Sequence, residues 1–229
     1  MKAIVLAGGL GTRLAHVTSD IPKPMAPIAS RPFLEYLLDY LIDQGCEEIV
    51  LAVSYKWEVI QKYFGFEYRG ISLQYSVEDT PLGTGGAIRQ AVELLADDDV
   101  AVLNGDTLFH VDLKGLAAEH RSSGARLSMA LKRVADSGRF GRVDVSAGGE
   151  VTSFREKSAG GPGWINGGVY MLHRNLLNDF PMPDRFSFEQ DLVEPNIGRI
   201  RPRAFLSDAY FIDMGVPEDY ERAQCEIGI

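Results

Sequence analysis

The chain has 229 residues, of which 45% are hydrophobic and 24% are charged. These fractions are typical of soluble globular proteins, and they exclude a disordered chain, a collagen-like fibre and a coiled coil as the main state. The 23 basic and 32 acidic residues give a formal net charge of −9, so the chain lacks the overall positive charge of proteins that bind nucleic acid or anionic membranes. Small anionic substrates are compatible with this balance, because a few clustered Arg and Lys side chains can act locally.

Neither the cysteines nor the N-terminus indicates secretion. Cys46 and Cys225 lie far apart and have no metal-binding or redox spacing, and unpaired thiols of this kind are usual in the cytosol. The apolar run 3–7 ends at Gly8 and Gly9, so it is too short for a signal peptide or a membrane span. We therefore expect a cytoplasmic protein that binds no membrane.

The first half of the chain alternates strand and helix patterns. The continuous apolar run 2–7 is typical of a strand that is buried on both faces of a parallel sheet. Residues 33–44 carry one apolar helical stripe between Pro32 and Gly45, which is the usual placement of proline and glycine around a helix. The elements predicted next are a strand at 48–53, a helix at 59–64, a strand at 71–77, a helix at 86–95 and a strand at 100–103. This alternation predicts a Rossmann-like three-layer α/β/α fold with a mainly parallel, mixed sheet.

The second half of the chain has a different pattern of short strands separated by glycine turns. The predicted strands are 127–131, 142–145, 151–155 and 167–172, and the predicted helices are 188–197 and 217–226. We expect a small β-rich extension packed on the first sheet. No linker or internal repeat separates the halves, so the sequence predicts a single domain over residues 1–229, with the halves meeting near residue 110.

A glycine-rich loop follows the first predicted strand directly. Gly8, Gly9 and Gly11 lack side chains, so their backbone N–H groups can approach an anion closely. A dinucleotide-binding fingerprint is excluded because Leu14 occupies the position of its third glycine, and a Walker loop is excluded because Thr12 follows the last glycine. The loop therefore indicates phosphate binding of another kind, although a lone glycine loop is a weak signal.

A lysine held between two prolines follows this loop. Pro22 and Pro24 restrict the backbone on either side of Lys23, so its ammonium group is placed with little conformational freedom. Together with Arg13 and the glycine turn, this lysine would form a clamp for a polyphosphate. A solvated turn is the alternative interpretation of the Pro-Lys-Pro segment alone.

Two aspartates follow apolar strand patterns. Asp106 ends the run 100–106, and Asp213 ends the run 209–213. Ligands of open α/β sheets collect beyond the carboxyl ends of strands, and Mg²⁺ bound to nucleotide phosphates is usually held by one or two carboxylates and several waters. The pair therefore predicts a Mg²⁺–triphosphate site, although either aspartate alone could be an ordinary turn residue.

Two later segments offer groups that recognise hydroxyls and phosphates. The carboxylate of Glu156 accepts hydrogen bonds from hydroxyls, the amide of Asn166 both donates and accepts, and Lys157 neutralises a phosphate. Surface Glu-Lys pairs are common, so these residues carry weight only in combination with the other motifs.

In combination, these motifs resemble the sugar-1-phosphate nucleotidyltransferases, also called nucleotide-sugar pyrophosphorylases, from residue 2 to about residue 220. The motifs that carry the resemblance are residues 6–14, 22–24, 81–86, 104–106, 156–157, 166–168 and Asp213. In one departure, Ser158 stands where many relatives have a proline after the Glu-Lys pair, which puts the geometry of the sugar-side loop in doubt.

The resemblance implies a role for each matching residue. Arg13, Lys23 and Lys157 would act in catalysis, and Asp106 and Asp213 would bind Mg²⁺. The implied nucleotide-binding residues of the first half are Leu6, Ala7, Gly8, Gly9, Gly11, Thr12, Arg13, Lys23, Glu78, Gly83, Thr84 and Asp106. The implied residues for the sugar phosphate, mostly in the second half, are Gly105, Gly141, Glu156, Lys157, Asn166 and Gly167.

The segments 21–27, 52–56 and 210–220 look like those of the D-glycero-α-D-manno-heptose 1-phosphate guanylyltransferases of surface-polysaccharide pathways. This likeness implies GTP and a heptose 1-phosphate as substrates, with Glu78 as a candidate acceptor for guanine. Mannose 1-phosphate with GTP, or UTP with an amino-sugar phosphate, is an alternative that no single residue excludes. A non-catalytic regulatory subunit is a further alternative. The sequence leaves the oligomeric state open, and a homo-oligomer is one of the states that it allows.

Overall fold

The computed structural model describes residues 1–9, 21–155 and 160–227. The helices in these ranges are α1 (Phe33–Asp43), α2 (Trp57–Phe64), α3 (Gly83–Val92), α4 (Leu113–Ser123), α5 (Ile197–Ile200) and α6 (Pro217–Glu226), with 3₁₀ helices at Lys23–Met25 and Arg174–Asp179 and a π-helix at Phe188–Val193. In the part of the chain that is described, none of the helices has the length and apolar character needed to cross a membrane.

The strands fall into one large sheet and two short pairs. They are β1 (Lys2–Leu6), β2 (Pro27–Ile28), β3 (Arg31–Pro32), β4 (Glu48–Val53), β5 (Glu67–Tyr68), β6 (Ile71–Val77), β7 (Asp99–Asn104), β8 (Thr107–Phe109), β9 (Leu127–Val134), β10 (Arg142–Val145), β11 (Val151–Arg155), β12 (Gly163–His173), β13 (Arg203–Ser207) and β14 (Phe211–Asp213). The two short pairs are β2 with β3 and β8 with β14, both antiparallel.

The large sheet has ten strands and a parallel centre. Strands β6, β4, β1 and β7 are parallel neighbours, β12 joins β7 in antiparallel orientation, and β9 and β13 follow β12. The hairpin β10–β11 pairs with the first part of β12. Along β1, Ala3 and Val5 belong to one buried cluster and Ile4 to the other, so the sheet is buried on both faces. The three-layer α/β architecture with a mixed, mainly parallel sheet is therefore confirmed.

Most predicted elements of the first half occur as expected. The strands predicted at 48–53 and 71–77 have those bounds, and α2 begins two residues before its predicted start. Helix α3 begins at Gly83 instead of residue 86 and ends at Val92 instead of residue 95. Its glycines favour a loop by propensity, but packing of the segment around Phe186 against them stabilises helix there.

The second half differs in how it joins the first. Its antiparallel strands continue the same sheet from the edge of β7, whereas the sequence led us to expect an extension packed on the sheet. The predicted helix at 188–197 is a π-helix followed by α5. Helix α4 and the strands β8 and β13 were missed, since short or interrupted apolar patterns gave no clear period.

The pair β8–β14 has the largest consequence for the site. Strand β14 lies antiparallel to β8, with Asp213 opposite Thr107, the residue after Asp106. The Met214 N–H also donates to the Asp106 carbonyl at 2.8 Å. These contacts bring two aspartates that are 107 positions apart in the sequence to the same end of the sheet.

Candidate active site

A cleft of about 640 Å³ lies beyond the carboxyl ends of β1 and β7. This is the place where open α/β sheets bind ligands. Its described lining residues are Leu6, Gly8, Gly9, Lys23, Pro24, Ala52, Glu78, Pro81, Gly83, Thr84, Ala87, Asn104, Gly105, Asp106 and Glu189. Eight of the nucleotide-binding residues that the sequence predicted are therefore gathered around one cavity, together with Gly105 from the sugar-phosphate set.

The floor of the cleft is formed by glycines where backbone segments approach closely. The Gly105 N–H donates to the Leu6 carbonyl at 2.9 Å, and a Cβ at position 105 would lie 2.6 Å from that oxygen. Gly9 is exposed in the cleft and has no heavy atom within 4 Å of a Cβ position. Ala7 is buried, and its N–H donates to the Ala52 carbonyl. This hydrogen bond attaches the start of the glycine loop to β4.

Lys23 and Asp106 form an ion pair at the edge of this floor. The Lys23 ammonium lies 2.5 Å from Asp106 Oδ2. Lys23 is only 7% exposed, because the 3₁₀ helix Lys23–Met25 packs into the core, whereas about a third of the Asp106 side chain is exposed. The structure thus places the rigid lysine where the sequence predicted it and leaves the aspartate facing the cleft.

Asp213 completes the charged corner of the site. Its Oδ1 accepts a hydrogen bond from the Gly215 N–H at 2.7 Å. Burial raises the pKa of the Asp213 carboxyl, the neighbouring Asp106 carboxylate raises it further, and Lys23 opposes the rise. Two carboxylates that repel each other fit a divalent cation held mainly by phosphates and water. The described residues hold no group of three or more His, Cys, Asp or Glu side chains arranged for a metal.

Glu78 also lines the cleft. Its Oε2 accepts a hydrogen bond from the Leu82 N–H at 2.8 Å, and its Oε1 lies 2.8 Å from the Cβ position of Gly8. Burial raises the pKa of the Glu78 carboxyl, and the Leu82 N–H opposes the rise. Glu78 therefore holds the turn before α3 with one oxygen and keeps the other directed toward the glycine loop.

The first turn of α3 is bound to the segment 186–189. Gly83 has a φ of +71°, and a Cβ there would lie 2.6 Å from the Phe186 carbonyl. Thr84 Oγ1 accepts a hydrogen bond from the Phe188 N–H at 2.8 Å and donates to Glu189 Oε2 at 3.2 Å. Both predicted residues, Gly83 and Thr84, are held in place by a segment more than 100 positions away.

Hydrogen bonds through two other residues connect Asn166 to the cleft. A bulge in β12 between Asn166 and Val169 lets the Gly168 N–H donate to Asn166 Oδ1 at 3.0 Å. The Asn166 amide donates to the Tyr170 hydroxyl, which donates to Glu189 in the cleft wall, both at 2.7 Å. Asn166 thus connects to the cleft by hydrogen bonds, although it does not itself line it.

Gly167 and Gly141 lie away from the main cleft. Gly167 is buried, and a Cβ there would lie 2.5 Å from the Phe109 ring, so it allows β12 to pack closely on β8. Gly141 has a φ of +81° and follows Phe140, which lines a smaller cavity of about 300 Å³ with Asp213. The predictions for Gly11, Thr12, Arg13, Glu156 and Lys157 lie outside the described residues.

Sequence reasoning missed Glu189 and Tyr170. Both are ordinary members of apolar-polar patterns. They bond to each other across 19 positions, and Glu189 bonds to Thr84 across 105 positions, so no local motif marks them. The only available signal was the apolar face of 188–197, which predicted a helix and not a wall of the cleft.

The chain is similar to proteins of known family along nearly its whole length. The Nucleotidyl transferase family matches residues 2–228. The D-glycero-alpha-D-manno-heptose 1-phosphate guanylyltransferase of Campylobacter jejuni is 49% identical over 220 residues, 96% of this chain and 97% of the relative. The protein of that name from Aneurinibacillus thermoaerophilus is 46% identical over 227 residues, 99% and 98% of the two chains.

A solved structure has the same fold. The crystal structure of HddC from Yersinia pseudotuberculosis matches with a TM-score of 0.90 and 39% identity, and the match covers 99% of both chains. A second structure of that protein, in complex with GMP-PN, matches with a TM-score of 0.87.

Proposed function

Since this chain belongs to the nucleotidyl transferase family, we propose that it transfers GMP from GTP to D-glycero-α-D-manno-heptose 1-phosphate. Pyrophosphate is released, and the product is a GDP-heptose for surface-polysaccharide synthesis in the cytoplasm. The names of the two relatives at 46–49% identity support this pair of substrates, and the GMP-PN complex of the structural relative supports a guanine nucleotide.

The observation that carries the proposal is the charged corner: the buried Lys23 paired at 2.5 Å with a cleft-facing Asp106, beside a second carboxylate at Asp213. A cation and two carboxylates next to glycines that line the cleft suit a nucleoside triphosphate. Simple binding of a neutral sugar would not require this arrangement.

In this reaction the protein must align the two substrates, and no side chain has to act as a nucleophile. A non-bridging oxygen of the sugar 1-phosphate attacks the α-phosphorus of GTP, and the bond from that phosphorus to the β-phosphate oxygen breaks. The electron pair of that bond leaves with pyrophosphate. A phosphate monoester is largely ionised near neutral pH, so the protein must hold two anions in line and stabilise the charge that develops.

Lys23 neutralises charge on the triphosphate. Its ammonium group stays at the cleft floor because it is paired with Asp106. Asp106 and Asp213 would hold the divalent metal that this family typically uses, which we propose is Mg²⁺. Held there, such a metal would supply Lewis-acid stabilisation of negative charge on the phosphates. Arg13 and Lys157, from the resemblance, would supply further positive charge.

The remaining residues divide between the two substrates. We assign the nucleotide to Leu6, Ala7, Gly8, Gly9, Glu78, Gly83 and Thr84 and, from the resemblance alone, to Gly11 and Thr12. We assign the sugar phosphate to Gly105 and Asn166 and, from the resemblance alone, to Gly141, Glu156, Lys157 and Gly167.

The test is a matrix of pyrophosphate-release assays. Four nucleoside triphosphates are each combined with heptose 1-phosphate, mannose 1-phosphate and N-acetylglucosamine 1-phosphate, with Mg²⁺ and with excess EDTA. We expect release only with GTP and a manno-configured sugar phosphate, fastest with the heptose, and none with EDTA. A preference for UTP or for N-acetylglucosamine 1-phosphate would overturn the proposal, as would the absence of release from folded protein that binds a nucleotide sugar.

A further inference from the structure

A continuous chain of hydrogen bonds runs through one wall of the cleft. Asn166 Nδ2 donates to the Tyr170 hydroxyl at 2.7 Å, and that hydroxyl donates to Glu189 Oε1 at 2.7 Å. The second oxygen, Glu189 Oε2, accepts from Thr84 Oγ1 at 3.2 Å. Thr84 in turn accepts from the Phe188 N–H at 2.8 Å. The chain therefore links a residue of the sugar-phosphate set to a residue of the nucleotide set.

Tyr170 determines the direction of these bonds. Its side chain is fully buried, and burial together with the Glu189 carboxylate raises the pKa of its phenol well above the usual value. The phenol therefore keeps its proton and donates it to the carboxylate, which can only accept. The phenol oxygen is then left to accept from Asn166, so the amide nitrogen must face Tyr170.

The other end of the same amide is also fixed. Asn166 Oδ1 accepts from the Gly168 N–H at 3.0 Å, at the bulge of β12. With both ends bound, the amide cannot rotate by half a turn, and one Nδ2 proton remains free of these partners. That proton is a donor suited to a hydroxyl oxygen, and its direction depends on Tyr170 and Glu189. A hydrogen bond to an ionised group such as Glu189 is among the stronger ones, which makes this orientation well defined.

We propose that Tyr170 and Glu189 are positioning residues that orient the Asn166 amide toward the hydroxyls of the sugar phosphate and couple it to Thr84 at the nucleotide side. This inference rests on the proposed function for the identity of the substrates. The hydrogen-bonded chain does not itself touch the reacting phosphates, so its effect falls on binding of the sugar phosphate more than on the rate of the chemical step.

The first experiment measures kinetic constants for Tyr170→Phe. The variant keeps the ring and removes the hydroxyl, so the Asn166 amide loses the partner of its nitrogen and is then held only by the Gly168 N–H. We expect KM for the sugar 1-phosphate to rise about tenfold, the effect of one hydrogen bond to a charged partner, with kcat within about threefold and KM for GTP unchanged. Tyr40→Phe is the matched control, because Tyr40 is also buried and donates to a backbone carbonyl, that of Val111, outside the cleft. An equal rise in the control, or no rise in Tyr170→Phe, would overturn the proposal.

Glu189→Gln supplies a second variant if Tyr170→Phe does not fold. Its amide can still accept from Tyr170 but no longer carries the charge, so we expect a smaller rise in the same KM. A rise in KM for GTP alone would contradict the positioning role.

A double-mutant comparison tests the link to Thr84. Tyr170→Phe and Thr84→Val each remove two hydrogen bonds of the same chain. In the double variant the rise in KM for the sugar 1-phosphate should therefore be smaller than the product of the two single rises. A full product of the two effects would show that the two ends act independently, and the coupling would be refuted.

The orientation of Asn166 can also be followed without turnover. In ¹⁵N-labelled protein, the Asn166 side-chain amide is assigned by its loss in Asn166→Asp. We expect slow hydrogen exchange for this amide in the original chain and fast exchange in Tyr170→Phe. Unchanged exchange would overturn the inference. If the original chain releases no pyrophosphate with any sugar phosphate, the proposed function fails, and the exchange measurement still decides whether Tyr170 orients the amide.

Discussion

Two groups of polar residues in or next to the cleft differ in how their charges and hydrogen bonds are arranged. The charged corner (Lys23, Asp106 and Asp213) concentrates charges at the ends of strands, and one of its carboxyls has its pKa raised by burial and by its neighbour. In the hydrogen-bonded wall (Thr84, Glu189, Tyr170 and Asn166), each side chain is hydrogen-bonded to another member of the group. Charged side chains that face the cleft are available to a ligand. Side chains that are hydrogen-bonded to one another hold each other in place.

A polar residue at a cleft can therefore take part in the reaction or hold other residues in position. Substitutions in the charged corner should reduce the rate of the chemical step, and substitutions in the wall should alter binding or folding.

The largest effect is expected for Asp106→Asn. The amide keeps the volume but loses the charge that faces Lys23 and the proposed metal, and such interactions are worth several kcal/mol in the transition state. We expect kcat to fall by about 10² to 10³-fold, since each 1.36 kcal/mol is a factor of ten. Loss of the neighbouring charge should also lower the pKa of Asp213, which a pH profile of the residual activity would detect.

The control for this variant is Asp39→Asn. Asp39 is also partly buried and pairs with Arg31 and Arg69, but it lies outside the cleft. Its kcat should remain at the level of the original chain. A loss of activity in Asp39→Asn as large as that in Asp106→Asn would mean that folding, and not the chemistry of the corner, accounts for the effect.

A smaller effect, on stability, is expected for Gly85→Ala in α3. A Cβ at this position would overlap with the ring of Phe186, which is buried and lies beneath the Arg89 guanidinium. Because the ring cannot move freely, overpacking should lower the free energy of unfolding by about 1–3 kcal/mol. Urea denaturation followed by circular dichroism measures this change.

Gly198→Ala in α5 is the matched substitution. No heavy atom lies within 4 Å of its Cβ position, and it has no positive φ, so alanine should stabilise the helix by about 0.5–1 kcal/mol. If both variants changed stability equally, tight packing of α3 against the segment 186–189 could not be the reason.

The smallest effect concerns His120, a buried polar residue outside both groups. Its Nδ1 contacts Ser128 Oγ at 2.8 Å, while its Nε2 has no hydrogen-bond partner among the described residues. Burial lowers the pKa of His120 below its usual 6.5, with Asp99 opposing. The unfolded chain therefore binds more protons than the folded chain just below pH 6.5, so stability falls as the pH decreases through that range.

His120→Gln should weaken this pH dependence and leave kcat unchanged. Urea unfolding at about pH 7.5 and about pH 5.5 compares the two proteins. Burial also lowers the pKa of His110, so part of the dependence should persist in the variant. An identical loss of stability in both proteins would show that His120 does not contribute.

Much of the fold was predictable because its signals are local. The continuous apolar runs at 48–53 and 71–77 and the helical stripe from residue 33 each lie within a dozen residues. The strand-end rule predicts Asp106 near the glycine loop, and the two prolines predict a rigid Lys23 beside it. Both residues line one cleft with Gly8 and Gly9 in the part of the chain that the structure describes. The roles assigned to these residues stay predictions.

Other features depend on contacts that no local pattern records. The start of α3 follows from packing against Phe186, about 100 positions later. The helix α4 was missed although Asp112 caps it by accepting from the Gly115 N–H, because its apolar face is interrupted by polar residues.

By itself, the sequence determined which segments form the central sheet and which charged residues follow its strands, since apolar periodicity and turn residues act over short distances. Only the tertiary structure decided that β14 would pair with β8 and bring Asp213 beside Asp106. It alone decided, too, that Glu189 and Tyr170 would join Asn166 to Thr84. Those arrangements depend on the packing of elements far apart in the chain, which is set by the whole core and not by any one segment.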